Sequence, residues 1–182
     1  TEASLNSLIV EKCQPLEQTK FVESLNINSP LHWGNKYEPV SQMYYEWKYN
    51  TKLDEFGCIL HSTIPFLGAS PDGINVKRES PLYGRMLEIK NIVNREITGI
   101  PKKEYWIQTQ LQMECCQLEE CDFLECQFKE YENEEEFMKD GATFQYTKEG
   151  NLKGVIVCFM KEQRPIYEYA PLQASRQEFE EW

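Results

Sequence analysis

Apolar and polar positions follow two rhythms along this chain, and the change of rhythm near residue 56 organises it. Over residues 4–25, Leu5, Leu8, Ile9 and Leu16 recur at roughly helical spacing, which predicts a first helix. Asn28, Ser29 and Pro30 interrupt it, with Ser29 as N-cap and Pro30 at the first position of a second helix over 30–50. The aromatic residues of that helix, Trp33, Tyr37, Tyr44, Tyr45, Trp47 and Tyr49, are expected to pack a core rather than stack on bases. From residue 56, short apolar runs between turn residues predict strands over 56–62, 73–77 and 83–93, with Ser80 and Pro81 turning between the last two. Pro101 then opens a long helix whose Ile107, Leu111 and Leu118 form one apolar stripe, expected to pack on the sheet. Residues 121–131 alternate as a strand, 132–140 read as a short acidic helix or loop, and 152–160 with 166–170 read as a closing hairpin. This order implies an α/β fold with a mixed central sheet flanked by helices, expected as a single domain over residues 1–182.

Composition narrows the class. Of 182 residues, 41% are hydrophobic and 13% aromatic, enough to bury a core and too many for a disordered chain. The longest apolar run, 155–160, is six residues, far short of the roughly 20 that cross a bilayer. No basic stretch followed by an apolar one opens the chain, so no signal peptide is expected. The cysteines number seven, at 13, 58, 115, 116, 121, 126 and 158. An odd count without that signal predicts reduced thiols in an intracellular compartment, the host cytoplasm or nucleus if the source is viral. With no C-x-x-C pair and only His32 and His61 as histidines, the thiols are expected to be buried as small hydrophobes rather than to hold zinc or an iron–sulfur cluster.

The net charge of −11 argues at first against a nucleic-acid partner. Its placement changes that. Residues 1–113 carry −1, residues 114–140 carry −9 and residues 141–182 carry −1, while residues 76–103 are locally +4. The excess acid is a solvated stretch elsewhere in the sequence, and the segment with the candidate chemistry is basic.

That chemistry lies in four segments: Gly34-Asn35-Lys36-Tyr37-Glu38, Ser70-Pro71-Asp72-Gly73, Leu87-Glu88-Ile89-Lys90, and Tyr105 through Gln110. In a strand, Glu88 and Lys90 share one face while Leu87 and Ile89 share the other. Asp72, at the start of the preceding strand, would come near Glu88 across the hairpin. Two carboxylates brought together repel unless a cation lies between them, and hard oxygen ligands select Mg²⁺ or Mn²⁺. An adjacent ammonium suits phosphodiester hydrolysis. On the long helix, Gln108 and Gln112 share a face and Gln110 points elsewhere. His61 is expected as a strand residue, although cap-snatching endonucleases use a histidine near this position as a metal ligand.

The ordered set Glu38, Ser70-Pro71-Asp72-Gly73, Leu87-Glu88-Ile89-Lys90 and the Gln108 helix resembles the lambda exonuclease group, the YqaJ-type viral recombinases of the PD-(D/E)xK nuclease superfamily. The resemblance spans about residues 33–114. It implies a restriction-endonuclease-like core and Mg²⁺- or Mn²⁺-dependent DNA cleavage with one or two ions, most simply exonuclease action from 5′ to 3′ on duplex ends in viral or phage-type recombination. The alternatives are an endonuclease on flaps, branched DNA or RNA, and an inert binding module. By this likeness Asp72, Glu88 and the main-chain carbonyl of Ile89 bind metal, Glu38 approaches a second ion, and Lys90 positions or activates water. Gln108 orients Lys90 or the nucleophile, and Ser70 lies near a terminal 5′-phosphate. In the basic segment over 76–103, Lys102 and Lys103 are expected to meet DNA. A single-strand annealing protein as partner and a trimeric assembly are implied by the family alone. Lambda-type exonucleases hold the 5′-phosphate with an upstream arginine, and here no arginine precedes Arg78, which leaves the polarity open.

Overall fold

The computed structural model describes residues 9, 10, 13, 26, 27, 29–162 and 164–182. The helix expected over 4–25 therefore falls almost wholly outside the described residues, although Ile9, Val10 and Cys13 are helical. Helix α1, Pro30–Tyr49, begins where local chemistry says it should: the Ser29 side chain accepts from the His32 N–H at 3.1 Å, and Pro30 stands in the first turn. It ends at Asn50, whose φ of 47° is the left-handed conformation that closes a helix.

After α1 come β1 (Leu53–Asp54), β2 (Ile59–Leu60), β3 (Gly68–Ala69), β4 (Gly73–Asn75), β5 (Met86–Ile92), helix α2 (Lys103–Cys116), β6 (Cys121–Gln127), helix α3 (Glu134–Lys139), β7 (Ile156–Lys161), β8 (Arg164–Tyr169) and helix α4 (Arg176–Glu181). The main sheet is mixed, in the order β1-β4-β5-β6, with β1, β4 and β5 antiparallel and β6 parallel to β5. Two parallel neighbours need a crossover between them, and α2 supplies it. The strand expected over 56–62 contracts to Ile59–Leu60, which pairs only with the two residues of β3 in a small hairpin, and β1 and β3, two residues each, are too short to show a rhythm in the sequence. His61 accordingly lies outside any strand; its Nδ1 accepts from the N–H groups of Thr63 and Ile64 at 3.2 and 3.1 Å, fixing the loop after β2.

Helix α1 covers one face of β5. Tyr45 packs there with Leu53, Leu87 and Ile89, all nearly or fully buried, with Leu82 and Leu124 against them. Tyr37 is likewise buried and stacks on Phe128, whereas Trp47 and Tyr49 are exposed, so only part of the aromatic series serves the core. Helix α2 covers the other face and departs from expectation. Ile107 and Leu111 are 41% and 48% exposed, and the buried residues are Thr109, Gln112 and Cys115. The apolar stripe points outward and a polar stripe points in. The closing hairpin is present as β7 and β8, and the Tyr169 hydroxyl donates to the Lys36 carbonyl of α1 at 2.8 Å. Of the cysteines, Cys115 is buried, Cys116, Cys121 and Cys126 are half-buried, and Cys13, Cys58 and Cys158 are exposed, so burial describes only some of them.

Candidate active site

The polar interior under α2 has a single centre, Glu88. Pairing of Gly73 with Leu87 and of Ile74 with Met86 carries Asp72 to the position across from Glu88, the juxtaposition expected from the hairpin. Glu88 is 1% exposed, a burial no carboxylate tolerates without partners. It has three: Lys90 Nζ and Gln108 Nε2 donate to its Oε1, the latter at 2.7 Å, and Gln112 Nε2 donates to its Oε2 at 2.8 Å. This demand turns α2 over. A helix that buried Ile107 and Leu111 here would leave Glu88 with one donor.

Asp72 takes the Ile89 N–H on its Oδ2 at 2.6 Å. Burial, and then the Glu88 charge, push its carboxyl up to about 7 despite that bond and Lys90. Glu38, on α1, is also raised, by burial first and then by the charges of Glu55 and Glu88, with Lys90 opposing. Its coupling to Asp72, Glu88 and Lys90 places it within their field. Gln42, one turn further along α1, donates to the Asp72 carbonyl at 2.8 Å and so ties the helix to the loop that carries Asp72.

Among the described residues Glu38, Asp72 and Glu88 share one field with Lys90, an excess of negative charge that a divalent cation would correct. Among the described residues no three histidine, cysteine, aspartate or glutamate side chains close into a metal cage, so any ion would rest on two carboxylates and main-chain oxygen. The donor set fits that description. In the described contacts Asp72 Oδ1 takes no donor and Glu88 Oε2 takes one, which leaves hard oxygen lone pairs beside the Ile89 peptide.

Around this centre the other expected residues take different places. Gln108 contacts Glu88 rather than Lys90, so it reaches the ammonium only through the carboxylate they share. Gln110 is exposed. Ser70 is exposed, and its carbonyl lies 3.4 Å from Gln112 Nε2. Lys102 and Lys103 are exposed at the start of α2, and Lys102 Nζ lies 6.0 Å from the centre of the Tyr105 ring. His61 Nε2 lies 3.3 Å from Glu114 Oε1 and makes no contact with Asp72 or Glu88 in the described contacts. Two further side chains border this centre. Gln112, whose signal was its four-residue spacing from Gln108, holds the second oxygen of Glu88, with its own Oε1 buried and unpartnered. Tyr105, the first residue of the candidate segment that ends at Gln110, places its ring 5.2 Å from Lys90 Nζ.

Residues 2–119 match the family model described as the YqaJ-like viral recombinase domain. An uncharacterised protein of Acanthamoeba polyphaga mimivirus is 33% identical over 148 residues, 73% of this chain and 25% of that protein. Among solved structures, an alkaline exonuclease from Laribacter hongkongensis, LHK-Exo, is 32% identical and matches with a TM-score of 0.47 over 56% of this chain and 52% of its own. LHK-Exo in complex with dAMP matches at 32% identity and a TM-score of 0.45 over 54% and 50%. The chain thus spans about a quarter of the viral relative and about half of the exonuclease.

Proposed function

The chain belongs to the YqaJ-like viral recombinase family, and from that premise we propose that it is a metal-dependent DNA nuclease, an exonuclease degrading duplex ends from 5′ to 3′ in recombination or genome processing. One observation supports this reading above the rest: Asp72, Glu88, Lys90 and Gln108 converge on one face of β5, with Glu88 buried and held by three donors. A stabilising design would put apolar side chains there.

Asp72, Glu88 and the Ile89 carbonyl would hold Mg²⁺ or Mn²⁺, with Glu38 nearby for a second ion, and the bound metal supplies Lewis acidity and positive charge at the phosphate. The chain's own groups do the rest. Lys90 directs its ammonium at the attacking water and offsets the negative charge that builds on the phosphoryl oxygens. Gln108 and Gln112 fix both oxygens of Glu88, so the carboxylate and Lys90 keep one relative geometry. The Ile89 N–H holds Asp72 in the same way. Ser70, Lys102 and Lys103 are proposed to meet the DNA phosphates.

The test is incubation with Mg²⁺ of end-labelled linear duplex, bearing 5′-phosphate or 5′-hydroxyl, beside closed circular DNA and single-stranded RNA. Degradation of linear duplex alone, beginning at the 5′ end, supports the proposal. Cutting of circles or RNA replaces the exonuclease with an endonuclease. No cutting with either Mg²⁺ or Mn²⁺ overturns the enzyme.

A further inference from the structure

The nuclease reading above gives no part to Arg95. Arg95 stands in the connection between β5 and α2 and ion-pairs through Nη2 with Glu125 of β6. Glu125 is the register partner of Lys90, and partners on adjacent strands share a face, so its carboxylate lies on the α2 side beside Lys90. The Glu125 side chain is 5% exposed and that of Arg95 26%. A further buried acid on a surface that already holds Asp72 and Glu88 is costly alone, and the guanidinium neutralises it. The pairing is one-pronged: in the described contacts Arg95 spends Nη2 on Glu125 and Nη1 on the Glu96 carbonyl at 3.3 Å, which leaves much of its five-donor fork for another acceptor.

The neighbours say what that acceptor is. Tyr105 stacks on Phe123, the register partner of Glu88, with ring centres 5.8 Å apart, and Lys90 Nζ and Lys102 Nζ lie 5.2 and 6.0 Å from the centre of its ring. Lys90, Lys102 and Arg95 therefore border one strip of β5 and β6, and a planar guanidinium matches phosphate oxygens. We propose that Arg95, anchored by Glu125, grips a phosphate of the DNA strand next to the one being cleaved. This rests on the nuclease reading and adds to it a residue that sets substrate affinity.

The experiment measures binding of a blunt duplex in EDTA by fluorescence anisotropy between about 50 and 200 mM salt, followed by cleavage kinetics in Mg²⁺. It compares wild type, Arg95→Ala, and the double variant Arg95→Ala/Glu125→Gln, which leaves no buried carboxylate unpaired and so guards against misfolding. Both variants should bind about tenfold more weakly. Their plots of log K against log salt should be shallower by about 1. KM should rise while kcat stays within about threefold. Equal losses on 5′-phosphate and 5′-hydroxyl ends place the contact at an internal phosphate; loss confined to 5′-phosphate ends places it at the terminal one. A double variant with wild-type affinity, salt slope and KM overturns the role of Arg95 and leaves the nuclease standing. A wild type that binds but never cuts overturns the nuclease, and the salt slope then decides the fate of Arg95 by itself.

Discussion

Two helices pack on the two faces of β5, and they do so in opposite ways. Helix α1 sets Tyr45 against Leu87 and Ile89 and binds Asn91 through Ser41 at 2.7 Å. Helix α2 sets Gln108 and Gln112 against Glu88 and turns Trp106, Ile107 and Leu111 to solvent. Burial does not separate the faces, since Leu87 is 0% and Glu88 1% exposed. The sign of the energy does. Burying Leu87 contributes about 2 kcal/mol, whereas burying Glu88 is unfavourable and is only offset by its donors. One face holds the fold together, and the other holds charge where charge would not otherwise stay.

That contrast can be broken at several points. Lys90→Ala removes the ammonium from the polar face and should lower kcat about a thousandfold or more, comparable to the loss of an electrostatic group in other hydrolases; a milder loss would move the chemistry elsewhere. On the opposite face, Leu87→Ala should cost about 3 kcal/mol in urea unfolding while leaving turnover per folded molecule nearly intact. A pH test follows from Asp72. Its carboxyl titrates near 7 in the fold against 3.8 when unfolded, so its proton stabilises the fold fully below about pH 4, and that contribution is lost as pH rises through 7. In EDTA the melting temperature should therefore fall from pH 5 to pH 8 more steeply in wild type than in Asp72→Asn; parallel profiles would contradict the shift. Gln112→Met keeps the volume, removes the unpartnered Oε1 and deprives Glu88 of one donor, so activity should drop about tenfold with stability changed by less than about 1 kcal/mol. The smallest effect belongs to Leu111→Glu, expected within about 0.5 kcal/mol because that side chain faces water. Unfolding of that variant would mean that the apolar stripe faces the sheet after all.

The legible parts of this molecule were local. Ser29 and Pro30 fixed the start of α1 because a cap and its helix are neighbours in sequence. Glu88, Lys90 and Asp72 came together from strand alternation and one hairpin. The orientation of α2 was not legible from periodicity, because its apolar residues 107 and 111 and its glutamines 108 and 112 have the same spacing and lie only one position apart. Either stripe could face inward by pattern, and the choice was made by the hydrogen-bonding needs of Glu88, a residue of another element. The pairing of Arg95 with Glu125 was hidden for a related reason: it depends on the register of β6 against β5, which a crossover helix sets and no short segment records.

The most direct test of the two-faced strand compares Glu88→Gln with Leu87→Ala, measuring both the unfolding free energy and the rate of duplex hydrolysis per folded molecule. Glu88→Gln should fold at least as stably as wild type in the absence of metal and hydrolyse nothing, whereas Leu87→Ala should be several kcal/mol less stable and cut at close to the wild-type rate. A Glu88→Gln protein that cuts, or a folded Leu87→Ala protein that does not, would contradict the division of labour between the two faces.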